Sequence, residues 1–175
     1  MARRRVSGIL SALVAALAPW WGPVSGAVIH VPADEATIQG GIDAASQGDS
    51  VLVAPGVYSG DGNRDIEIGE VGVLLISSAG PESTLINCGG SELDPHRGFS
   101  VQGVGVDSVT IDGFTVTAGY AEQVGVEWFG GGMVCHGGRP TIRNCILWAN
   151  ESPGESGHGG GLACVDRASP TLTGC

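Results

Sequence analysis

The sequence contains no lysine, and its eight arginines stand against 18 acidic residues, which gives a net charge of −10. Three of these arginines, Arg3, Arg4 and Arg5, lie together near the N-terminus. Binding to nucleic-acid phosphates or to an anionic membrane surface needs clustered basic side chains. The rest of the chain has only scattered arginines, so the composition argues against nucleic-acid binding.

The N-terminal apolar stretch, Ile9 to Ala18, is too short to span a bilayer, since a spanning helix needs roughly 20 apolar residues. It follows the three arginines and precedes the small residues Ser25-Gly26-Ala27. This order is typical of a signal peptide. We therefore expect residues 1–27 to be a signal peptide cleaved after Ala27, with a membrane anchor as the alternative. Residues 28–175 would form a secreted domain, extracellular or at the cell surface, without a membrane span after cleavage.

The five cysteines form no C-x-x-C motif, which leaves zinc and redox motifs unsupported. The 31 glycines also lack the strict period of three that collagen requires. They instead separate short runs rich in Val, Ile and Leu, a pattern that indicates many tight bends in a repetitive β-chain.

A five-residue pattern recurs at intervals close to 30 residues: Thr, an aliphatic residue, a variable residue, Asn or Gly, then Cys or Phe. The copies begin at Thr84, Thr110, Thr141 and Thr171, and Gly130–Cys135 recurs as Gly159–Cys164. In a β-helix, equivalent residues of successive coils stack about 4.8 Å apart. Asn or Gly suits a left-handed corner, and the aliphatic and Cys/Phe positions suit inward ladders. We therefore predict an all-β fold, a right-handed parallel β-helix (solenoid).

A short amphipathic helix is predicted near the start of the mature chain, because Ile38, Ile42 and Ala45 share one helical face. Asp34 is the expected N-cap, and Gly48 the expected end. A helix this short needs a surface to pack on. We expect it to cap the open end of the solenoid core.

Two tracts interrupt the regular spacing, Gly119 to Trp128 and Asn150 to His158. We expect both to be loops that protrude from comparable places on successive coils. Such loops are the usual binding surface of a solenoid.

The cysteines at the ends of repeats, Cys88, Cys145 and Cys175, are expected to form a buried ladder, and Cys135 with Cys164 a second pair. Disulfides between stacked coils would need some distortion, since equivalent Cβ atoms of neighbouring coils lie near 4.8 Å apart. The odd count leaves at least one cysteine unpaired.

The chain resembles the right-handed β-helix repeat proteins secreted by bacteria, members of the pectate-lyase-like superfamily. The resemblance rests on Ile38-Gln39 with Ile42-Asp43-Ala44-Ala45, on Gly48–Tyr58 and on the Gly-Gly-Gly-x-x-Cys…Pro-Thr-x-x-x-Cys repeat. It implies the fold, while the superfamily's activities range from polysaccharide lyases and hydrolases to adhesins. Because Cys175 falls at the last position of a repeat, we expect the chain to be a C-terminally truncated fragment.

Asp61, Asn63 and Asp65 alternate like the first ligands of a calcium loop, so they are the candidate metal site. Ile66 and Gly72 stand where an EF-hand needs Gly and Glu, which excludes that motif. A looser calcium site or a plain polar turn are the two interpretations.

A second candidate cluster combines His96 and Arg97 with Arg64 and Asp65 across neighbouring coils. An acid, a base and a guanidinium close together would suit acidic sugars, as in polysaccharide lyases; the alternative is a structural Arg–Asp pair. Asp65, His96 and Arg97 are thus the candidate catalytic residues. Arg64, with the aromatic residues Tyr120, Trp128 and Trp148, is a candidate for ligand binding.

We therefore expect a secreted or surface-displayed binding or structural protein that contacts polysaccharide or a cell-surface component without catalysis. The alternative is a calcium-assisted polysaccharide lyase or another polysaccharide-active enzyme, such as a glycoside hydrolase. The two hypotheses differ on whether the Asp61–Asp65 and His96–Arg97 clusters converge in one groove.

Overall fold

The computed structural model describes residues 26–69, 71–103, 108–124, 127–154 and 157–175, and only the backbone of residues 124, 127 and 128. The predicted signal peptide therefore lies almost wholly outside the described residues. Within them the elements are one helix, α1 (Ile38–Ala44), and 17 strands. The strands are β1 (Val28–Val31), β2 (Ser50–Val53), β3 (Gly56–Ser59), β4 (Ile66–Ile68), β5 (Leu74–Ser77), β6 (Thr84–Asn87), β7 (Phe99–Gln102), β8 (Thr110–Asp112), β9 (Thr115–Thr117), β10 (Gln123–Val124), β11 (Glu127–Phe129), β12 (Met133–His136), β13 (Thr141–Arg143), β14 (Ile146–Trp148), β15 (Gly157–His158), β16 (Leu162–Val165) and β17 (Thr171–Thr173).

Three parallel sheets wind together into a β-solenoid of about four turns, which confirms the predicted class, a parallel β-helix. Sheet 1 has the order β1-β2-β5-β8-β13-β17, sheet 2 the order β14-β9-β6-β3, and sheet 3 the order β16-β12-β7-β4. Each full coil contributes one strand to each sheet, so every neighbour within a sheet lies one coil away in sequence.

The core lies between the three sheets, because alternate residues of each strand point inward. Across sheet 3, Ile66 lies opposite Phe99, and Phe99 opposite Met133, and all three are fully buried. Phe99 also meets Phe114 edge to face across the core, with ring centroids 6.0 Å apart. Stacked rows of this kind remove each inward residue from water on all sides.

The predicted left-handed corner is confirmed in three of the repeats. Gly113, Asn144 and Gly174 have φ values of +83°, +50° and +66° and follow paired positions of β8, β13 and β17. The alignment of the Thr84 copy with these repeats is wrong. Thr84 begins β6 in sheet 2, and Leu74 is the residue opposite Thr110 in sheet 1. The Thr-aliphatic pattern misled because strands of different sheets carry the same half-buried composition.

Helix α1 covers the first coil, with Ile38, Gly41 and Ile42 buried, as expected of a cap. Its N-cap is Thr37, whose hydroxyl accepts a hydrogen bond from the Gly40 N–H at 3.1 Å, so the predicted N-cap Asp34 is wrong. The carboxylate of Asp34 accepts instead from the backbone N–H of His30 at 2.8 Å. The helix ends at Ala44, before the predicted end at Gly48.

The two predicted loops leave successive coils at the same place, between sheets 2 and 3. Strand β11 of the first loop pairs in parallel with β15 of the second, and β10 folds back on β11. The loops therefore stack on each other as the coils below them do, and they form a small fourth sheet. We call it the loop sheet (β10, β11 and β15).

The cysteine ladders differ from the prediction in one member, Cys88, and in the burial of two others, Cys164 and Cys175. Cys145 and Cys175 occupy equivalent positions after β13 and β17, and Cys135 lies opposite Cys164 in sheet 3. Cys88 follows β6 in sheet 2 and belongs to neither set, because the repeat containing it was misaligned. Cys88, Cys135 and Cys145 are buried, whereas Cys164 and Cys175 are exposed.

Candidate functional site: a polar groove on sheet 3

A groove of about 370 Å³ runs along the outer face of sheet 3, beside the loop that carries Glu122. Nearly all of its lining residues can form hydrogen bonds through their side chains. They are Asp65, Glu67, Pro95, His96, Arg97, Ser100, Gln102, Glu122 and His136. The groove crosses three coils, since Glu67 belongs to β4, Ser100 and Gln102 to β7, and His136 to β12.

Asp65 joins the first coil to the segment that precedes β7. It has a left-handed backbone, with φ +50°, which turns its carboxylate toward the next coil. Oδ1 accepts from the backbone N–H of Arg97 at 2.8 Å, and Oδ2 lies 2.5 Å from Nδ1 of His96. The N–H of Asp65 donates in turn to the carbonyl oxygen of Arg97 at 2.7 Å. The predicted meeting of Asp65, His96 and Arg97 on neighbouring coils is confirmed.

The imidazole of His96 is held between two carboxylates. Nδ1 faces Asp65, and Nε2 lies 3.2 Å from Oδ2 of Asp94. Nε2 is nevertheless buried and forms no well-oriented hydrogen bond with any described residue. In this arrangement neither ring nitrogen is open to a molecule in the groove, so His96 serves as a clamp between coils.

Arg97 brings the groove's only guanidinium, and its side chain is half-buried. Burial lowers the pKa of Arg97, and the nearby carboxylates of Glu122 and Asp65 oppose that shift. Among the described residues the guanidinium forms no ion pair within 4 Å. A partly desolvated cation without a close partner is well suited to a ligand that offers hydrogen-bond acceptors.

The groove residues on the strands of sheet 3 were not predicted from the sequence. Ser100 lies opposite Glu67, and Gln102 opposite His136, in the outward rows of sheet 3. Gln102 Nε2 donates to Ser100 Oγ at 3.0 Å, and Nδ1 of His136 lies 3.3 Å from a carboxylate oxygen of Asp166. The alternation of inward and outward residues in β4, β7 and β12 was the available signal, but it needs the register between coils to place these side chains together.

The residues of the candidate calcium site have other partners. The side-chain oxygen of Asn63 accepts from the N–H of Ile38 at 3.1 Å, which ties the start of α1 to this turn. The backbone of Asp61 forms an isolated β-bridge with that of Arg64, and both oxygens of Asp65 are engaged as described above. No group of three or more His, Cys, Asp or Glu side chains in the described part of the chain is placed to hold a metal ion. The calcium site stays a prediction.

The candidate ligand-binding residues do not share one surface. Arg64 donates through Nη1 to the carbonyl oxygen of Cys88 at 2.9 Å, and its Nε is buried without a partner among the described residues. Trp148 is 68% exposed on the outer face of sheet 2. The backbone of Trp128 lies in β11, and its side chain is outside the described part.

Tyr120 lines a second groove, of about 350 Å³, on the other side of the segment that carries His96. Its floor is made of small residues, including the stacked left-handed Ala118 and Ala149. Burial raises the pKa of Tyr120, and the carboxylates of Glu92 and Glu151 raise it further. The N–H of Tyr120 donates to the carbonyl oxygen of His96 at 2.7 Å, which links the two grooves through one hydrogen bond.

No helix among the described residues combines the length and apolarity needed to cross a bilayer. No protein-family model, no curated protein and no solved structure matches the chain.

Proposed function

We propose that this protein is a secreted or surface-displayed β-helix that binds polysaccharide or another cell-surface glycan in the polar groove, without catalysis. The groove itself carries the proposal. It spans three coils, and it presents Glu67 and Gln102 from strands β4 and β7, with Arg97 and Glu122 from the connections before β7 and β10. Extended polar chains need such a row of hydrogen-bonding groups, and rigid strands hold the row in place.

Two features favour binding over chemistry. Both oxygens of Asp65 already accept hydrogen bonds within the protein, and Nε2 of His96 is covered. A general base must reach the proton that it removes, directly or through one water molecule. The Asp65–His96 pair lines the groove, but its hydrogen bonds are made within the groove wall, which favours a structural role for the pair over proton transfer.

The second candidate function is a calcium-assisted polysaccharide lyase of the pectate-lyase-like superfamily. One observation supports it: Asp65 of the Asp61–Asp65 cluster meets His96 and Arg97 on one groove wall, although Asp61 and Asn63 do not line that groove. Membership of that superfamily, right-handed winding, bacterial origin and export by the N-terminal signal peptide are further parts of the proposal, and they rest on the sequence motifs.

The test is binding to a panel of acidic and neutral polysaccharides, with and without calcium, while unsaturated products and reducing ends are measured. We expect retention on at least one polysaccharide without product, and at least tenfold weaker retention for Arg97→Ala and Gln102→Ala. Arg139→Ala is the matched control, because Arg139 is exposed and lies outside both grooves.

Calcium-dependent product that disappears in Arg97→Ala or Asp65→Ala would establish the enzyme in place of the binding protein. Equal retention of all variants would contradict the assignment of the groove. A failure to bind any glycan would contradict the proposed function itself.

A further inference from the structure

Four of the five cysteines lie in two facing pairs, and in each pair the two cysteines are one turn of the solenoid apart. Cys135 of β12 lies directly opposite Cys164 of β16 in sheet 3. Cys145 and Cys175 each lie two residues beyond the paired positions Arg143 and Thr173, at equivalent corners after sheet 1. The two pairs therefore lie on different sides of the solenoid. Cys135 and Cys145 belong to the stretch β12–β13, and Cys164 and Cys175 belong to the stretch β16–β17, one full turn later.

The spacing of the coils suits a covalent bond at these positions. Opposite residues of neighbouring parallel strands lie about 4.8 Å apart, within the range of about 4.4 to 6.8 Å between the Cα atoms of a disulfide. The two Cβ atoms must approach to about 3.5–4.5 Å, which requires a small movement of one coil toward the other. Cys145 and Cys175 each follow a left-handed residue, Asn144 or Gly174, at a corner outside the regular strand pairing.

Each pair combines one accessible thiol with one buried thiol. Cys164 and Cys175 are exposed, whereas Cys135 and Cys145 are buried beneath their coil. Burial raises the pKa of Cys135 to about 12, with a further contribution from Cys164, and it raises the pKa of Cys145 to about 11. The exposed member can meet an oxidant, and its buried neighbour is then the nearest thiol that can complete the exchange.

We propose that Cys135–Cys164 and Cys145–Cys175 form two disulfides that fasten the stretch β16–β17 to the stretch β12–β13. The oxidant is a low-molecular-weight disulfide. The exposed thiolate attacks one sulfur atom of this disulfide. The attack forms a mixed disulfide on the protein and releases one small thiol. The buried cysteine, as its thiolate, then attacks the protein sulfur and releases the second small thiol. Each bridge thus removes two hydrogen atoms from the protein and reduces one small disulfide to two thiols.

Cys88 is the internal control that the fold supplies. The position opposite it on the next coil is Ala118, since Asn87 lies opposite Thr117. Cys88 is fully buried, and its carbonyl oxygen accepts a hydrogen bond from Arg64. We therefore expect four cysteines to react in two defined pairs and the fifth, Cys88, to stay a thiol.

The test is incubation of the folded, fully reduced chain with oxidised glutathione, followed by blocking of free thiols and peptide mapping. We expect the two named links, one blocked thiol at Cys88, and a higher melting temperature that a reductant reverses. Cys164→Ser should keep only the Cys145–Cys175 link, and Cys175→Ser only the Cys135–Cys164 link. Both substitutions are at exposed sites, and circular dichroism checks that the variants fold.

Links between members of different pairs, a link to Cys88, or glutathione retained on Cys164 and Cys175 without a bridge would each overturn the inference. Five unreacted thiols in the folded chain would overturn it as well, because mapping of the wild type does not depend on how any variant folds.

Discussion

Asp65 shows how one side chain can fix the shape of a groove between coils. Its left-handed backbone and its two accepted hydrogen bonds hold the segment before β7 against the first coil. The replacement Asp65→Ala removes both acceptors and places alanine at φ +50°. We expect the free energy of unfolding to fall by about 2 kcal/mol, with a weaker grip on any groove ligand.

Asp65→Asn is the matched control, since asparagine tolerates the left-handed region and keeps one acceptor oxygen for the Arg97 N–H. Urea unfolding of the two variants beside the wild type measures the difference. A loss for Asn as large as that for Ala would mean that the charge of Asp65, and not its hydrogen bonds, holds the segment.

The buried thiols predict a sensitivity to alkali. Burial raises the pKa of Cys88 from 9.0 to about 12, so the folded protein holds this proton more tightly than the unfolded chain does. Between these two pH values the unfolded chain loses the proton first. The free energy of unfolding must therefore fall as the pH rises from 9.0 toward about 12.

Cys88→Ala should flatten this alkaline decline, although the lost packing lowers its stability by about 1 kcal/mol at neutral pH. Melting temperatures followed by circular dichroism, in the presence of a reductant and from neutral pH upward, test the slope. Parallel curves for the wild type and the variant would show that Cys88 takes no part in the alkaline transition.

At the scale of the element, α1 covers the first coil because one of its glycines lets it lie close. A Cβ at Gly41 would stand 2.9 Å from Cγ1 of Val51 and 3.0 Å from Cγ2 of Val31. Gly41→Ala should therefore lift the helix and cost about 1–3 kcal/mol of unfolding free energy.

Gly40→Ala is the comparison on the same helix. Its added Cβ would meet side-chain atoms of Thr37 and Glu35 at 3.1 and 3.2 Å, and alanine favours the helix by up to about 1 kcal/mol. We expect a change within about 1 kcal/mol in thermal unfolding. If both variants lose equal stability, close packing at Gly41 is not what fixes the helix.

The strands, the cap and the corners could be predicted because each rests on a local pattern. The residue types at Asn144 and Gly174 predict left-handed corners, and the spacing of Ile38 and Ile42 predicts a buried helical face. The error at Thr84 has the opposite cause. A strand of sheet 2 and a strand of sheet 1 have the same local composition, and only the number of residues in each coil tells them apart. The contact of Asp65 with His96 depends on that same number. The sequence therefore suggested their meeting, but it could not place Ser100, Gln102 and His136 beside them.

At the scale of the whole molecule, the core is one continuous stack. Phe114 is fully buried and meets Phe99 across the interior, so it touches two sides of the solenoid. Phe114→Ala should cost about 3–5 kcal/mol of unfolding free energy, because the cavity lies between coils that cannot close over it independently.

Trp148→Ala offers the contrast, because Trp148 is 68% exposed on the outer face of sheet 2. We expect its unfolding free energy to change by no more than about 0.5 kcal/mol. Denaturant unfolding of both variants provides the measurement. A large loss for Trp148→Ala would indicate that the outer face of sheet 2 is packed against part of the chain outside the described residues.

Because the two protruding loops stack on each other outside the three sheets, their length can vary without changing the register of the strands. The excursion from β9 to β12 is longer than that from β14 to β16, yet Met133 still lies opposite Leu162 and Thr141 opposite Thr171. An insertion in these loops thus changes no rung of the three sheets. Changes in the length or sequence of these loops can therefore alter the side of the groove that carries Glu122, while the strand pairing in the three sheets stays the same.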